Sequence, residues 1–520
     1  GNTAQASRSP AQYMLVTNPN GGEAIPQEST YDIRWRSAGF GGNVAIEYSV
    51  AAGAPVWQML ADDQANDGSH LWTVAPGTFA VADTYRIRVR SIDTPAIVDA
   101  SNAAFSVTPP ISIFYVNDGS TTGDQYTTAI GNDANDGLTA ATPKATIRGV
   151  LEAYDLDAGD IIRVDNGSYL LTANIELVTQ DSGVTIEGPT FDGLAAVLDR
   201  GNTSSTSFVF NLLGADDVTL RNLVIRGGYH GISAANAAGS DRLTVENSEL
   251  IRNSQSGISI ADGNVNALIS DNEVYGNGSW GININGAGNR AVGNHVWSNG
   301  GGITASYNGQ AACIEIIGNT VHDNSSTGIA VSYWVLVDGN RAYGNGSWGV
   351  TLYDDRSLAT NNEIYRNANG LVLSVGGVGR DNRVYANTGT GIELSGSGGG
   401  IAEGNVVYGN NIGITEGQSR VAGNIVYDNV SAGIVTSGYR GEGDGIIGTT
   451  VVQPTGDAIR VGGGAQNVLI RNNIIEAGNG IAINVPSNAQ DGFASDYNLF
   501  RLGAGARISY WEDRAYFTLA

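Results

Sequence analysis

The stretch Asp271-Asn-Glu-Val-Tyr-Gly-Asn277 returns with small changes seven more times before residue 430. In every copy the second Asn follows the first by five residues, and a Gly-plus-aliphatic step comes next, as in Gly281-Ile282. The first asparagines of the eight copies stand at positions 272, 294, 319, 340, 362, 382, 405 and 424. The copies are therefore 19 to 25 residues apart, which is the length of one coil of a solenoid.

A coil of this kind cannot bury its apolar face alone, so it stacks on its neighbours at the ~4.8 Å strand spacing. In the Gly-Ile-x-Ile strands we expect the aliphatic residues to face inward and the residue x to face solvent. We expect the repeated Asn to adopt a left-handed turn conformation and its amide to bond the Asn above and below. The repeat therefore predicts an all-β parallel β-helix. A leucine-rich or ankyrin-type array would need periodic Leu or helices instead.

Residues 12–108 follow a different pattern. Segments such as Tyr31-Asp-Ile-Arg-Trp35 and Tyr85-Arg-Ile-Arg-Val-Arg90 alternate apolar and polar side chains, which is typical of short half-buried strands. The runs Asn18-Pro-Asn-Gly-Gly-Glu23 and Asn66-Asp-Gly-Ser-His-Leu-Trp72 make this segment resemble the Ser/Thr-rich, cell-wall-associated Ig-like domain of secreted multidomain proteins. The resemblance implies an accessory domain, a small immunoglobulin-like β-sandwich without the cysteine pair.

Residues 1–11 precede this domain as an extension, and residues 109–112 form a short stiff linker. Beyond the linker, Phe114-Tyr-Val-Asn-Asp-Gly119 and Ala141-Thr-Pro-Lys-Ala-Thr-Ile147 lead into a segment with helical spacing of apolar residues. This order is similar to the opening of the secreted right-handed parallel β-helices of the pectate-lyase-like superfamily. The resemblance implies a short amphipathic helix that covers the open end of the coils. We assign residues 113–520 to a right-handed parallel β-helix with this capping helix.

The composition excludes several classes of protein. The 520 residues carry 51 acidic and 27 basic side chains, a formal charge of −24, so we expect no nucleic-acid partner. No run approaches the ~18 apolar residues of a membrane-spanning helix. The single cysteine, Cys313, excludes an intramolecular disulfide. We expect a secreted or cell-surface protein that forms part of a larger multidomain surface protein, and whose export signal has either been removed or was never part of this sequence.

A solenoid varies its turns and exposed strand positions, so these are where function is expected. If one face of the coils forms a groove, residues on and just after the Gly-Ile-x-Ile strands line it. Aromatic faces pack on the apolar faces of sugar rings, and aromatic residues beside carboxylates therefore predict a polysaccharide partner. The candidates for substrate binding are Tyr307, Tyr333, Trp334, Tyr353, Arg356, Glu416, Tyr439 and Arg440.

The catalytic candidates are Asp354, Asp355 and Glu393. Two carboxyl groups can serve as general acid and base in glycoside hydrolysis, and repulsion between the adjacent aspartates could keep one protonated as an acid. The competing interpretation of the Asp pair is a solvated turn after a strand. The sequence thus favours a glycan-cleaving hydrolase. The alternative is a non-catalytic adhesive or glycan-binding module, which the near-uniform repeats favour.

A uronate lyase or epimerase is the second alternative, because many enzymes of the resembled superfamily act on uronates. Such an enzyme needs cations or Ca²⁺ to neutralise the substrate carboxylate, and a base. Lys144 matches an opening residue of the family, which favours a structural role. Tyr229-His-Gly231 is only a partial match to the Gly-His-Gly of polygalacturonases. His295 and His322 fall in repeat positions, which favours packing or surface roles.

No cofactor is required by these interpretations, although calcium is compatible with them. Asp133, Asn135 and Asp136 are weak metal candidates, since Ca²⁺ takes several oxygen ligands. Their spacing does not fit the EF-hand loop, so a turn is the better prediction for this segment.

Overall fold

The computed structural model describes residues 12–516 except 51–53, 236–238, 308, 310–311, 355, 397–398, 438–444 and 513. The chain divides into two compact units, one ending at Ser112 and the other beginning at Ile113. Residues 109–112 lie outside regular strands. Among the described residues, no helix combines the length and apolar character needed to cross a bilayer.

The first unit contains two small sheets around one core, which is consistent with a β-sandwich. Three antiparallel strands form one sheet, namely Tyr13–Asn18, Thr30–Ala38 and Ser69–Thr73. The other sheet contains, in order, Ala24–Pro26, Phe105–Thr108, Ala82–Ser91, Val44–Val50 and Gln58–Gln64, with Val98–Ala100 paired to Ala82–Ser91. Both sheets contribute buried aromatic residues to the core, among them Trp35, Trp72, Tyr85 and Phe105.

The second unit is a parallel β-helix of three long sheets. Sheet 1 contains Ile113–Val116, Ile161–Val164, Thr185–Glu187, Thr219–Arg221, Thr244–Glu246, Leu268–Ser270, Arg290–Val292, Ile314–Ile317, Val335–Asp338, Leu358–Thr360, Val378–Arg380, Ile401–Glu403, Arg420–Ala422, Gly445–Ile447, Leu469–Arg471 and Ala494–Asp496. Sheet 2 contains Gly167–Leu170, Ala196–Asp199, Leu223–Arg226, Glu249–Ile251, Glu273–Tyr275, His295–Trp297, Thr320–His322, Arg341–Tyr343, Glu363–Tyr365, Arg383–Tyr385, Val406–Tyr408, Ile425–Tyr427, Thr450–Thr455, Ile474–Asn479 and Leu499–Leu502. Sheet 3 contains Ile175–Val178, Phe208–Leu213, His230–Ala234, Ile258–Ile260, Trp280–Asn285, Gly301–Ser306, Ile329–Ser332, Trp348–Leu352, Asn369–Ser374, Thr390–Ser395, Ile412–Glu416, Ala432–Thr436, Asp457–Val461, Ile481–Asn484, Arg507–Trp511 and the antiparallel Arg514–Tyr516.

Each coil runs from sheet 1 through a first corner to sheet 2, through a second corner to sheet 3, and back through a third turn. In the eight sequence repeats the first corner always has two residues, from Asp271-Asn272 to Gly423-Asn424. The third turn varies in length, from the two residues Tyr333-Trp334 to the eight positions between Thr436 and Gly445. Most of the variation in repeat length therefore lies in the third turn.

The inward positions predicted from the Gly-Ile-x-Ile pattern are confirmed. Ile282 and Ile284 of sheet 3 are fully buried, as are Ala291 of sheet 1 and Val296 of sheet 2. These small and branched residues form one continuous core that runs along the coils. The alternation of inward and outward side chains is the ordinary consequence of strand geometry.

A short helix, Ile147–Ala153, lies at the start of the coils. Thr146 caps it, because its hydroxyl accepts a hydrogen bond from the Gly149 N–H at 2.8 Å. Ile147 and Val150 are buried in the solenoid core. The helix therefore turns its apolar side to the first coils. Two 3₁₀ turns, Thr179–Asp181 and Ser487–Ala489, complete the helical elements of the described residues.

The predicted asparagine ladders are present at both corners. At the first corner, Asn340 Oδ1 accepts hydrogen bonds from the backbone N–H and the Nδ2 of Asn319, at 2.8 and 3.0 Å. Asn340 Nδ2 in turn donates to the Ile316 carbonyl at 2.8 Å. At the second corner, Asn345 accepts from Asn324 in the same way. Each amide thus satisfies backbone groups of a neighbouring coil, which buried polar groups require.

The expectation of a left-handed conformation at the repeated Asn is wrong. The positive φ belongs to the residue before it: +64° at Gly339, +54° at Asn361 and +54° at Asp381. The chain changes direction at this preceding residue. The Asn after it can then direct its N–H and its side chain towards the neighbouring coil. Gly, Asn and Asp recur before the ladder because they tolerate this backbone conformation.

A column of stacked rings covers part of the outer face of sheet 2. From His322 to Tyr427, successive ring centroids are 4.7–4.9 Å apart and the ring planes lie within 12° of parallel. The spacing matches that of the parallel strands which carry the rings. We call this column the aromatic stack; its members are Tyr275, Trp297, His322, Tyr343, Tyr365, Tyr385, Tyr408 and Tyr427.

The prediction that x of the Gly-Ile-x-Ile strands faces solvent fails at some coils. Asn283 and Glu393 are partly exposed, whereas Thr351 is fully buried and Val372 is 6% exposed. An outward direction does not guarantee exposure, because cross-strand neighbours on one sheet face lie close enough to cover a short side chain.

Candidate functional site

Three tyrosines follow successive sheet 3 strands, at the third turn. By register, Tyr307 and Tyr333 take equivalent positions on neighbouring coils, and Tyr353 on the next coil lies one position earlier. Tyr333 and Tyr353 are 46% and 52% exposed, whereas Tyr307 is half-buried and packs against the solenoid core. Tyr333 has a φ of +59°, so it forms the turn itself. The register brings two exposed tyrosines together on adjacent coils.

The other predicted binding residues of this region differ in accessibility. Trp334 is half-buried, and its carbonyl accepts a hydrogen bond from the Ile314 N–H at 3.2 Å. Arg356 is exposed. Three further predicted site residues lie outside the described part of the chain, namely Asp355, Tyr439 and Arg440.

Asp354 is tied into the third turn of its coil. Its Oδ1 accepts hydrogen bonds from the Arg356 N–H at 3.2 Å and the Ser357 hydroxyl at 3.1 Å. Its Oδ2 is buried and has no hydrogen-bond partner among the described residues. The side chain as a whole is only 8% exposed. One oxygen therefore stabilises the turn, as the competing turn interpretation expects, and the other remains for a further donor.

Glu393 and Glu416 line one cavity of about 360 Å³ on the neighbouring coils, together with Ser395, Thr415 and Ser437. Glu393 is partly exposed at an outward position, and it pairs in register with Thr415. Glu416 was expected on the exposed face, but it is 1% exposed. The physical reason is the alternation of the strand, since Ile414 and Glu416 share the inward side.

The backbone register sets the separation of these carboxylates. Asp354 and Glu393 are two coils and three residues apart, which is roughly 14 Å between Cα atoms at ordinary strand dimensions. Glu393 and Glu416 are one coil and one residue apart, roughly 6 Å by the same geometry. Acid and base carboxyl groups of glycosidases lie about 5–9.5 Å apart. Glu393 and Glu416 have the smaller Cα separation, but their side chains leave opposite faces of sheet 3, so this separation does not bring the two carboxyl groups to one side of the sheet.

The weak calcium candidates form turns around Lys144. Asp133 accepts hydrogen bonds from the N–H groups of Ala145 and Thr146, both at 3.0 Å. The buried Lys144 ammonium donates to the carbonyls of Asp133 and Asn135, at 3.0 and 2.8 Å. Asp136 accepts from the Thr142 hydroxyl and the Leu138 N–H, which lower the pKa of its carboxyl. The positive charge within this segment is thus the lysine, in a structural position.

His230, of the partial Gly-His-Gly match, begins a strand of sheet 3 and pairs in register with Phe208 of the preceding strand. Its ring stacks on that of Phe208 at 5.8 Å, and Nδ1 accepts a hydrogen bond from the Ser256 N–H at 3.2 Å. Burial lowers the pKa of the imidazole. These contacts describe a packed histidine.

The sequence arguments missed a polar cavity of about 590 Å³ at the capped end of the solenoid. Burial raises the pKa of Asp181, whose carboxylate accepts a hydrogen bond from the Val178 N–H. The cavity lies before the first repeat, where no periodicity marks which residues converge. Its charged lining consists of Arg148, Glu152, Asp155, Glu176, Asp181 and Arg200.

Among known proteins, a family described as "Right handed beta helix region" matches residues 208–357 and 332–442. No curated protein matches the chain. Solved structures of similar shape include XylC in complex with xylose, with a TM-score of 0.44 and 12% identity over 75% of this chain and 86% of that one.

Two further structures are similar at the same low level. The pectate lyase Pel9A has a TM-score of 0.38 and 18% identity, over 64% of this chain and 76% of that one. The A-module of the mannuronan C-5 epimerase AlgE4 from Azotobacter vinelandii has a TM-score of 0.39 and 14% identity, over 76% of this chain and 100% of that one. The family description, together with the three parallel sheets, establishes a right-handed parallel β-helix as the fold of the repeat region.

Proposed function

We propose that the protein is an extracellular polysaccharide-directed protein that holds a glycan chain along the third turns. The observation that carries the proposal is the pair of exposed tyrosines, Tyr333 and Tyr353, on adjacent coils beside Asp354. Tyrosine faces pack on the apolar faces of sugars while the hydroxyl reaches water or a sugar hydroxyl. Coils repeat at ~4.8 Å, so a linear polymer could meet an equivalent position at each step.

The charge of the chain favours a neutral glycan over a polyuronate. A net charge of −24 repels a polyanion at long range. Arg356 and Arg440 remain the candidates for a local cationic subsite, on which the lyase or epimerase alternative depends. That alternative therefore has the weaker support.

We further propose that the bound glycan is hydrolysed with the outward carboxyl group of Glu393 as one catalytic group and that of Asp354 or Asp355 as the other. One carboxyl would protonate the glycosidic oxygen as the bond to the anomeric carbon breaks, and the other carboxylate would remove a proton from the attacking water. Asp354 lies two coils from Glu393 by register, so the two side chains would have to reach towards each other across the third turns. The competing proposal is a non-catalytic binding module, which the use of Asp354 Oδ1 in its own turn supports.

Binding is tested on a panel of neutral and uronate polysaccharides by affinity electrophoresis. Tyr333→Ala and Tyr353→Ala should each weaken binding about two- to tenfold, since one aromatic contact contributes about 0.5–1.5 kcal/mol. Tyr497→Ala is the matched control, because Tyr497 is also exposed and also has a positive φ. Equal losses for all three variants, or no binding by the wild type to any polymer, would refute the glycan proposal.

Cleavage is tested with a reducing-end assay on each polymer that binds. Hydrolysis predicts new reducing ends that Glu393→Gln reduces at least 100-fold while binding is retained. Product with the ultraviolet absorbance of an unsaturated uronate would replace hydrolysis with elimination. Binding without any turnover would leave the non-catalytic module as the function.

A further inference from the structure

His295 and His322 face each other on neighbouring strands of sheet 2. Their Nε2 atoms are 2.7 Å apart, a separation at which one ring donates a proton to the other or both bind one cation that lies to the side of the line joining the two nitrogens. His322 is a member of the aromatic stack, whereas His295 lies beside it, paired in register with Thr320. The side chains are 39% and 14% exposed respectively, so the pair is reached from solvent.

A carboxylate holds the other nitrogen of each ring. His295 Nδ1 lies 3.0 Å from Glu273 Oε2, and His322 Nδ1 lies 2.8 Å from Asp323 Oδ2. A carboxylate accepts hydrogen bonds, so each Nδ1 carries the proton and donates it. Both Nε2 atoms are then left unprotonated, with their lone pairs 2.7 Å apart. Two such lone pairs repel at this distance unless a positive charge is shared between them.

We propose that His295 and His322 bind a divalent transition-metal ion through their two Nε2 atoms. Imidazole suits Cu²⁺, Ni²⁺ and Zn²⁺. Two nitrogens at about 2.0–2.1 Å from a metal are about 2.9 Å apart at a right angle and about 3.3 Å apart in a tetrahedron. A square or tetragonal arrangement requires a shorter distance between the two Nε2 atoms than a tetrahedral one, and is therefore closer to the observed 2.7 Å. Cu²⁺ is therefore the preferred ion, with water in the remaining positions.

The surroundings of the pair resemble those of metal-binding histidines in general. A histidine that ligates a metal usually donates its other N–H to a carboxylate or carbonyl, which fixes the tautomer and raises the basicity of the ligand. Glu273 and Asp323 supply this to both rings. Stacking further fixes the rings, because His295 lies 4.3 Å from Trp297 and His322 lies 4.7 Å from Tyr343 by ring centroids.

The alternative occupant is a single proton shared by the two Nε2 atoms. A shared proton satisfies the same lone pairs and requires no metal. The two possibilities differ in one measurable property, because a pair that only shares a proton gives no tight metal site dependent on both histidines.

The test is a calorimetric titration of the whole chain with Cu²⁺ and, separately, with Ni²⁺. The wild type should have one Cu²⁺ site that His295→Gln and His322→Gln each abolish. Glu273→Gln and Asp323→Asn should weaken it about 10–100-fold, as expected when a carboxylate that orients a ligand is removed. His230→Gln and His70→Gln are the controls and should leave the site unchanged.

Electron paramagnetic resonance of the Cu²⁺-loaded wild type gives a second measurement that does not depend on variants folding. Coupling to two equivalent imidazole nitrogens is expected. Bound Cu²⁺ should also raise the urea midpoint of the wild type, since a ligand that binds only the native state stabilises it. Copper binding that survives in the His295→Gln/His322→Gln double variant, or a spectrum without two imidazole nitrogens, would overturn the proposal in favour of the shared proton.

Discussion

The two asparagine corners and the third turn differ in how they satisfy the backbone polar groups where the chain passes from one sheet to the next. Each must return the chain to the next sheet while its backbone polar groups stay satisfied. The corners do this with buried amides such as Asn340 and Asn345, which bond to the coil before and after. In the described part of the third turns, no such ladder runs through all eight repeats, and the length of the turn varies. The difference indicates that stability resides at the corners, and that the third turn is where residues can change with the least cost.

The largest expected effect comes from breaking a ladder. Asn382 accepts two hydrogen bonds from Asn362 and donates to the Ala359 carbonyl and Asn405 Oδ1. Asn382→Ala leaves these buried groups unpaired and should cost about 2–4 kcal/mol in the free energy of unfolding measured in urea. Asn411→Ala, at an exposed position, should cost less than about 0.5 kcal/mol. Similar costs at both sites would show that the ladder does not stabilise the coils.

The next largest effect concerns the residue before the ladder. Gly339 has a φ of +64° and open space where a Cβ would lie, so only the backbone conformation opposes a side chain there. Gly339→Val should cost about 2 kcal/mol, because a β-branched residue is strained at positive φ. Gly339→Asn should cost much less, since Asn361 adopts this conformation one coil later. Urea unfolding of both variants compares the two costs, and equal losses would place the strain elsewhere.

A smaller effect is expected from the aromatic stack. Tyr385 stacks on Tyr365 and Tyr408 at 4.9 Å, and an aromatic pair contributes about 0.5–1.5 kcal/mol. Tyr385→Leu should therefore cost about 1 kcal/mol in urea unfolding. Tyr497→Leu, outside the stack, is the control. A Tyr385→Leu variant as stable as the wild type would mean that the stack follows the strand spacing without stabilising it.

The raised pKa of Tyr385 predicts that the folded protein loses stability at alkaline pH. Burial and a hydrogen bond with Glu363 raise the pKa of Tyr385 to about 12, against about 10 in the unfolded chain. The folded state thus favours the neutral phenol. Its contribution is complete below about pH 10 and is lost as the pH rises towards about 12. Urea unfolding across this range should show a shallower fall for Tyr385→Phe, and an identical slope would contradict the shift.

The smallest effect on stability is expected at the third turn. Tyr353 is 52% exposed, so Tyr353→Ala should change the free energy of unfolding by less than about 0.5 kcal/mol. The same substitution is expected to weaken glycan binding. A stability loss as large as that of Asn382→Ala would remove the contrast between corner and turn.

The coils could be predicted from the sequence because each repeat of the sequence pattern forms one coil of the solenoid. The recurring asparagines predicted a ladder of stacked amides, which the structure has at both corners, and the Gly-Ile-x-Ile pattern predicted the inward residues. It did not predict which residue of the corner is left-handed, because Gly, Asp and Asn are all compatible with that conformation. The preceding residue, such as Gly339 or Asp381, takes it.

The candidate site was harder to predict because it depends on lateral register between coils. The separation of Asp354 from Glu393 is set by which residues pair between neighbouring strands. Because the third turns differ in length, this pairing cannot be worked out from distances along the sequence. Glu416 was expected to be exposed because it ends a strand beside polar residues, but strand alternation turns it inward. The polar cavity at the capped end involves no repeat, so no periodic signal marked it.

The pairing of each coil with only its two neighbours has a consequence for how such a molecule can evolve. Removing residues 362–381 would join Asn361 directly to Asn382, and the seam would fall between equivalent corner positions. Loss or duplication of one such unit would change the reach of the surface by a fixed increment of ~4.8 Å. Unequal recombination within the gene can therefore shorten or lengthen the molecule in whole steps while both ends stay as they are.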